Sequence, residues 1–300
     1  MKILITGATG LVGKQLVKQL LSEGHQINFL TTRKEAVDSL PNCTGFHWDL
    51  ENYIIDVTCI NGVDKIIHLA GASVANLWTK DYKKEIIDSR VITAQLLFKT
   101  LKENNHSVSQ FVSASAIGIY QHSYDAVYNE ENTAFSSGFL GEVVQQWELA
   151  ADAFSTLNIN VTKIRIGVVL AKNGGALQKM AQPISLGVGA PLASGKQYMS
   201  WIHIKDLIQL FAFLLENNNV GVFNGVAPNP VTNSVITKAI AKQLNKPFFL
   251  PNVPKVLLQL LLGEMHEMVC DSQQVSSLKI EGAGFIFQFI ALENALKDLL

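Results

Sequence analysis

Apolar and polar positions along this chain follow two rhythms in turn. Short apolar runs read as buried strands at Lys2–Thr6, Gln26–Thr31, Lys65–Leu69, Gln110–Ser115 and Asn160–Leu170. Between them, apolar residues at helical spacing predict helices over Gly13–Ser22, Asp81–Glu103 and Gly141–Ser155. In the first of these Leu16, Leu20 and Leu21 continue a face begun by Leu11, while Lys14, Lys18 and Glu23 fall between. Such alternation predicts a doubly wound α/β fold, a parallel sheet with helices on both faces.

After Leu170 the rhythm changes. Asn173–Gly175 and Gly187–Gly195, with Pro183 and Pro191, read as loops around a ligand. A helix over His203–Glu216, a short strand at Val220–Asn224 and further helices in Pro228–Leu300 complete the expectation. Residues 1–171 with 203–227 are expected to form a dinucleotide-binding domain. Residues 172–202 with 228–300 are expected to form a smaller substrate lobe.

Composition narrows the partners. With 24 basic and 25 acidic residues the chain has no electrostatic footprint for nucleic acid or an anionic membrane. The longest apolar run, Val256–Leu262, is far short of the roughly 20 residues that span a bilayer. The glycines at positions 7 and 10 interrupt the apolar start within a few residues, unlike a secretory signal. Cys43, Cys59 and Cys270 are odd in number and widely spaced, which suits a reducing, cytoplasmic setting and no zinc site. Glu264-Met-His266-Glu267-Met-Val-Cys270 resembles a zinc-protease helix only until position 270, where the second histidine is a cysteine. No metal is expected.

The chemistry begins at the first strand. Lys2–Thr6 runs into Gly7, Gly10 and Gly13, and a helix follows. That order brings unpaired backbone N–H groups and the positive end of a helix dipole to one point, which suits a dinucleotide diphosphate. Gly7 permits the tight turn, Gly10 admits the phosphates, and Gly13 lets the helix pack on the sheet. The second strand ends Thr31-Thr32-Arg33-Lys34, where an NAD-binding protein usually places a carboxylate. A ribose 2′-phosphate would find a guanidinium and an ammonium there, so the expected cofactor is NADP rather than NAD; the competing reading is a solvated pair of cations. Asp49 is read either as an acceptor for the adenine amino group or as a turn aspartate.

Further strings carry a family resemblance. Thr6–Gly13, Asp64-Lys-Ile-Ile-His68-Leu-Ala-Gly71 and Phe111-Val-Ser113-Ala-Ser115-Ala are similar to the extended short-chain dehydrogenase/reductases. Trp78-Thr79, Ser89-Arg90, Trp147-Glu148, Arg165–Leu170, Ser194–Gln197 and Trp201–His203 resemble an atypical branch, the YfcH-type epimerase-family proteins. The resemblance runs essentially end to end and implies a Rossmann domain binding NAD(P), without supplying a substrate. The residues expected along the cofactor are Gly7, Thr9, Gly10, Leu11, Val12, Gly13, Arg33, Lys34, Asp49, Leu50, Leu69, Ala70, Gly71 and Arg165.

Ordinary members of that superfamily use a tyrosine and a lysine four residues later. The residues four beyond Tyr53, Tyr82, Tyr120, Tyr124, Tyr128 and Tyr198 are Val57, Ile86, Tyr124, Tyr128, Asn132 and Ile202, and none is lysine. Aligning Glu148 with the glutamate that follows the usual pair puts Leu140 and Val144 in their places. Three other residues are the catalytic candidates. Arg90, one of only three arginines, falls within the apolar stripe of its helix, where a cation must be paired or face a polar cavity. A structural ion pair and a catalytic or cofactor role are both open to it. Ser115 closes a strand at the edge where such sheets bind ligands and matches the family serine that holds the reacting oxygen; alternatively its hydroxyl satisfies a loop N–H. Tyr120 is the one tyrosine placed to replace the missing acid, with core packing as its other reading.

Two functions follow as expectations. One is an NADP-dependent oxidoreductase or nucleotide-sugar-epimerase-like enzyme acting on a small molecule, sugar- or nucleotide-linked. The other is a catalytically silent NADP(H)-binding sensor or scaffold. A homodimer is compatible with either.

Overall fold

The computed structural model describes all residues, Met1–Leu300. Its strands are β1 (Lys2–Thr6), β2 (Gln26–Thr31), β3 (Cys43–Asp49), β4 (Ile54–Ile55), β5 (Lys65–His68), β6 (Gln110–Ala116) and β7 (Val127–Tyr128). They continue with β8 (Asn160–Ile166), β9 (Val168–Leu170), β10 (Tyr198–Met199), β11 (Trp201–His203), β12 (Gly221–Gly225), β13 (Val231–Thr232) and β14 (Gln274–Val275). The helices are α1 (Leu11–Ser22), α2 (Lys80–Glu103), α3 (Phe139–Asp152), α4 (Gly175–Ser185) and α5 (Ile204–Glu216). Five more follow: α6 (Asn233–Gln243), α7 (Lys255–Leu262), α8 (Glu267–Cys270), α9 (Leu278–Gly282) and α10 (Leu292–Leu299).

Eight strands form one sheet in the order β12-β8-β6-β5-β1-β2-β3-β4, parallel throughout except for the β3–β4 pair. The fold is therefore a doubly wound α/β sheet of Rossmann type. Its strand order reverses beside β1, and ligands of such sheets bind beyond the carboxyl ends of the strands at that point. Alternation along β1 divides the core. Ile3 and Ile5 face α1 and α5, with Leu16, Leu20, Leu207 and Phe211, whereas Leu4 faces the opposite layer with Ile66, Leu97 and Phe111. The first of these cores is continuous with Ile236 and Ile240 of α6, Phe285, Phe287 and Phe289, and Leu296 of α10.

Two of the segments read from the sequence take a different form. The predicted strand Asn160–Leu170 breaks at Gly167 into β8, in the main sheet, and β9, which pairs with β11. A Cβ at Gly167 would strike Val226 at 2.8 Å, and the Gly167 and Val168 N–H groups turn to Gly225 O and Ser200 O. The loop expected around Pro183 contains α4 instead. Pro183 lies in its last turns, where the missing N–H and the ring perturb few intrahelical bonds.

Candidate functional site

The β1–α1 turn is built by contact. Gly7 has φ +69°, and a Cβ there would lie 2.7 Å from the Leu69 carbonyl and 3.0 Å from Ala70 N. Thr6 Oγ1 ties that neighbouring backbone down, accepting from the N–H groups of Leu69 and Ala70, each at 3.1 Å. At Gly13 a Cβ would come within 2.7 Å of Ala8 Cα. Gly10 is the N-cap of α1 and supplies no side-chain acceptor. The first-turn N–H groups of Leu11, Val12 and Gly13 therefore have no intrahelical partner and are free for an anion. The cradle exists because side chains are absent from it, as a diphosphate site at this turn requires.

The turn opens into a cleft of about 1110 Å³ at the carboxyl ends of β1, β2, β3 and β5. Gly7, Thr9, Ala70 and Gly71 lie on its wall, as do Arg33 and Lys34, both exposed. Arg33 and Lys34 thus share one cavity with the glycine turn. Leu50 also lines the cleft. Asp49 does too, but its carboxylate closes a turn, accepting from Glu51 N and Asn52 N at 3.1 Å and from Asn52 Nδ2 at 2.8 Å. The Asn52 bonds hold its carboxyl below the usual range. Of the two readings of Asp49, the turn aspartate describes these contacts. Leu11 packs against Gly174 and Gly175 at the start of α4, where their Cβ atoms would lie 3.7 and 3.1 Å away.

Ser115, Tyr120 and Arg165 occupy a different place. All three are buried and none is on the cleft wall. Arg165 on β8 grips Glu148 on α3, and its Nη1 donates to the Tyr120 hydroxyl at 3.1 Å. That hydroxyl donates to Asn224 Oδ1 at 2.8 Å, and Ser115 Oγ donates to Glu148 Oε1 at 2.6 Å. Lys163 adds a second cation 3.5 Å from Glu148. Burial opposes ionisation of Glu148, but the hydrogen bonds and charge of Arg165, with help from Ser115 and Lys163, hold its carboxyl below the usual range. Burial pushes the Tyr120 phenol up.

Ser115, Tyr120 and Arg165 were expected at the reacting oxygen and the cofactor; the structure sets them off the wall of the glycine-turn cleft, with Ser115 and Arg165 bonded to Glu148 and Tyr120 bonded to Arg165 and Asn224. Glu148, the hub of the cluster, served the sequence comparison only as a landmark and was given no role there. Its signal was available: it lies within the buried face of α3 formed by Val144, Trp147 and Ala151, where an acid needs a partner.

Arg90 is also buried, but in another way. Its Nη1 donates to Ile86 O at 2.8 Å and its Nη2 to Ala72 O at 3.1 Å. Its Cζ lies 5.0 Å from the Trp147 ring centroid, and a Cβ at Gly71 would be 2.9 Å from that same carbon. No carboxylate pairs with it, so the ion pair open to it from sequence is not formed, and burial lowers its pKa to about 10. Nearby His68 is fully buried between Thr93 Oγ1 and the Trp147 indole N–H, and burial together with the Arg90 charge lowers its pKa to about 3.

The chain belongs to the NAD dependent epimerase/dehydratase family, whose model matches residues 3–226. Residues 253–299 match a domain of unknown function, DUF1731. The epimerase family protein SAR0825 of Staphylococcus aureus is 36% identical over 298 residues, covering 99% of this chain and 98% of the relative. The epimerase family protein SERP0438 of Staphylococcus epidermidis is 35% identical over 300 residues, covering 100% and 99%. Among solved structures, human epimerase family protein SDR39U1 (isoform 2) with NADPH superposes with a TM-score of 0.87 at 30% identity, covering 100% of this chain and 99% of that one. The nucleoside-diphosphate sugar epimerase of Corynebacterium glutamicum gives 0.80 at 28% identity, covering 100% of this chain and 58% of that one.

Proposed function

We propose that this chain binds a nicotinamide dinucleotide in the cleft, NADP(H) in preference to NAD(H), and acts as an oxidoreductase or nucleotide-sugar-epimerase-like enzyme on a small molecule. One observation carries the reading. A turn that excludes any Cβ at Gly7 and Gly13 opens into the same cleft as Arg33 and Lys34, with no carboxylate at the end of β2. The NADPH carried by the human relative supports it. The backbone from Gly7 to Gly13 would hold the diphosphate, Arg33 and Lys34 the 2′-phosphate, Leu50 the adenine end, and Ala70 with Gly71 the sugar. When bound, the nicotinamide supplies or takes up a hydride.

The chain's own residues set limits on the chemistry. Leu140 packs on Gly118 (3.3 Å to its Cβ position) and Val144 is buried, and neither can carry a proton. With the Ser115 hydroxyl donated to Glu148 and the Tyr120 hydroxyl to Asn224, the reading takes the proton from substrate or water. Lacking a positioned acid typically costs about 10²–10⁴-fold in rate. Arg90, beside the Gly71 turn, is the group left to stabilise developing negative charge.

Titration of the protein with NADPH and NADH, followed by nucleotide fluorescence, tests the reading. Tighter binding of NADPH is expected. Equal affinities remove the case for Arg33 and Lys34, and no binding of either removes the function. A second reading, a silent NADP(H) sensor or scaffold, is favoured by the closed Ser115–Glu148–Arg165–Tyr120 cluster and the missing tyrosine–lysine pair. Absence of any NADP(H)-linked turnover across a metabolite panel, with NADPH binding intact, would select it.

A further inference from the structure

Arg90 is a buried charge that the fold does not neutralise. Two of its N–H groups are taken by backbone carbonyls, and Nε has no acceptor in the chain. Its neighbours Gly71, Ala72, Ser89 and Thr93 all lie on the cleft wall, so the guanidinium sits directly behind that wall. The turn in front of it is fixed from both sides: Ala72 N donates to Ser89 Oγ at 2.8 Å, and Ala72 O accepts from Arg90. His68 on β5, whose ionisation the Arg90 charge opposes, is held neutral and offers no counter-charge.

A guanidinium only 9% exposed and without an anion is costly, and its field is less screened than it would be at an open surface. Arg165 shows the ordinary solution in the same molecule, a carboxylate gripped by both prongs. We propose that Arg90 is left uncompensated for a negatively charged ligand group, a phosphate or carboxylate oxygen, that seats against the Gly71–Ala72 turn. This rests on the dinucleotide reading of the cleft and adds to it that the ligand there brings an anion to Arg90. The source of that anion is either the cofactor's diphosphate or an acidic substrate bound beside it. The rival role is a clasp, in which Arg90 serves only to hold the Ile86 and Ala72 carbonyls.

The two roles separate in the full-length Arg90→Met protein. If the charge is reserved for a ligand, the unliganded variant melts at or above the wild-type temperature, because a desolvated charge has been removed. Its affinity for an anionic ligand then falls roughly 10-fold to 100-fold, the worth of a partly screened unit charge about 6–10 Å away behind the wall. Calorimetric titration with 2′-phospho-ADP-ribose, which lacks the nicotinamide, reports the cofactor source. Titration of NADP-saturated protein with malonate and with inorganic phosphate reports the substrate source, and a loss in either arm supports the proposal. A lower melting temperature with unchanged affinities in both arms overturns it in favour of the clasp. Should Arg90→Met not fold, Arg90→Lys and Arg90→Gln decide: affinity higher for lysine than for glutamine supports the proposal, and equal affinities overturn it. Wild-type protein that binds no NADPH would remove the dinucleotide reading itself, whereas failure confined to the variants removes only the role of Arg90.

Discussion

Arg165 holds Glu148 by two parallel hydrogen bonds, Nε to Oε1 at 2.8 Å and Nη2 to Oε2 at 2.9 Å, and both side chains are buried. The pair joins β8 to α3, and through Tyr120 and Asn224 it reaches the loop after β6 and the edge strand β12. The bidentate geometry offsets the desolvation of both charges. It also places a structural knot where a family resemblance leads one to look for catalysis.

Removing one partner should therefore be worse than removing both. Glu148→Ala is expected to lower stability by about 3–5 kcal/mol, the cost of stranding a buried charge. The double variant Glu148→Ala/Arg165→Met should cost less than the sum of the two single ones. Urea denaturation of the four proteins measures the coupling directly.

Ser115→Ala should act on folding and leave the cofactor alone. Its hydroxyl donates to Glu148 Oε1, so the variant is expected to lose on the order of 1–3 kcal/mol of stability. Its dissociation constant for NADPH should match the wild type. A variant of wild-type stability that binds NADPH poorly would return Ser115 to the cofactor site.

The three glycines of the first turn should separate. A Cβ at Gly13 meets Ala8 Cα at 2.7 Å, whereas at Gly10 the nearest atom is Gly7 O at 3.2 Å. Gly13→Ala is thus expected to lower the melting temperature clearly. Gly10→Ala should fold near wild-type stability yet bind NADPH at least tenfold more weakly, roughly the worth of one charge-assisted hydrogen bond lost as the phosphate is pushed away. Gly7→Ala should fail on both counts, since it adds a φ of +69° to a backbone collision.

Buried histidines predict an acid-sensitive fold. Burial lowers the His68 pKa from 6.5 to about 3, so the folded protein binds fewer protons than the unfolded chain between those values. The stability tied to neutral His68 is fully present above pH 6.5 and is lost as the pH falls towards 3, by up to about 1.4 kcal/mol per pH unit. His203, buried and lowered to about 4, adds a second contribution over pH 6.5 to 4. Denaturation midpoints of His68→Gln against pH should fall less steeply than those of the wild type; parallel curves would show that His68 does not titrate on unfolding.

Much of the fold could be read from the chain because its causes are local. Strand rhythm in Lys2–Thr6, Gln26–Thr31, Lys65–His68 and Gln110–Ala116 needs only short continuous apolar runs, as strands buried on both faces show. The glycine spacing from Gly7 to Gly13 reports steric demands met within one turn. Gly167 was harder, because the break it makes depends on Ser200 and Val226, far along the chain. Helix α4 was hidden by Pro183 and by glycines that start the helix rather than interrupt it.

The sequence alone determined the doubly wound sheet, the nucleotide turn and the position of Arg33 and Lys34 after β2, since each follows from neighbours in the chain. It also showed that Arg90 lies on a buried face. Only the tertiary structure decided what the charged side chains meet there. Ser115, Glu148, Arg165 and Asn224 lie on β6, α3, β8 and β12, which touch because of strand order, and that order gathers them into a self-satisfied cluster with Tyr120 from the loop after β6. The same packing brings Arg90 to backbone carbonyls and an indole but to no carboxylate. Whether a buried charge is paired depends on contacts between distant segments, which composition and periodicity do not encode.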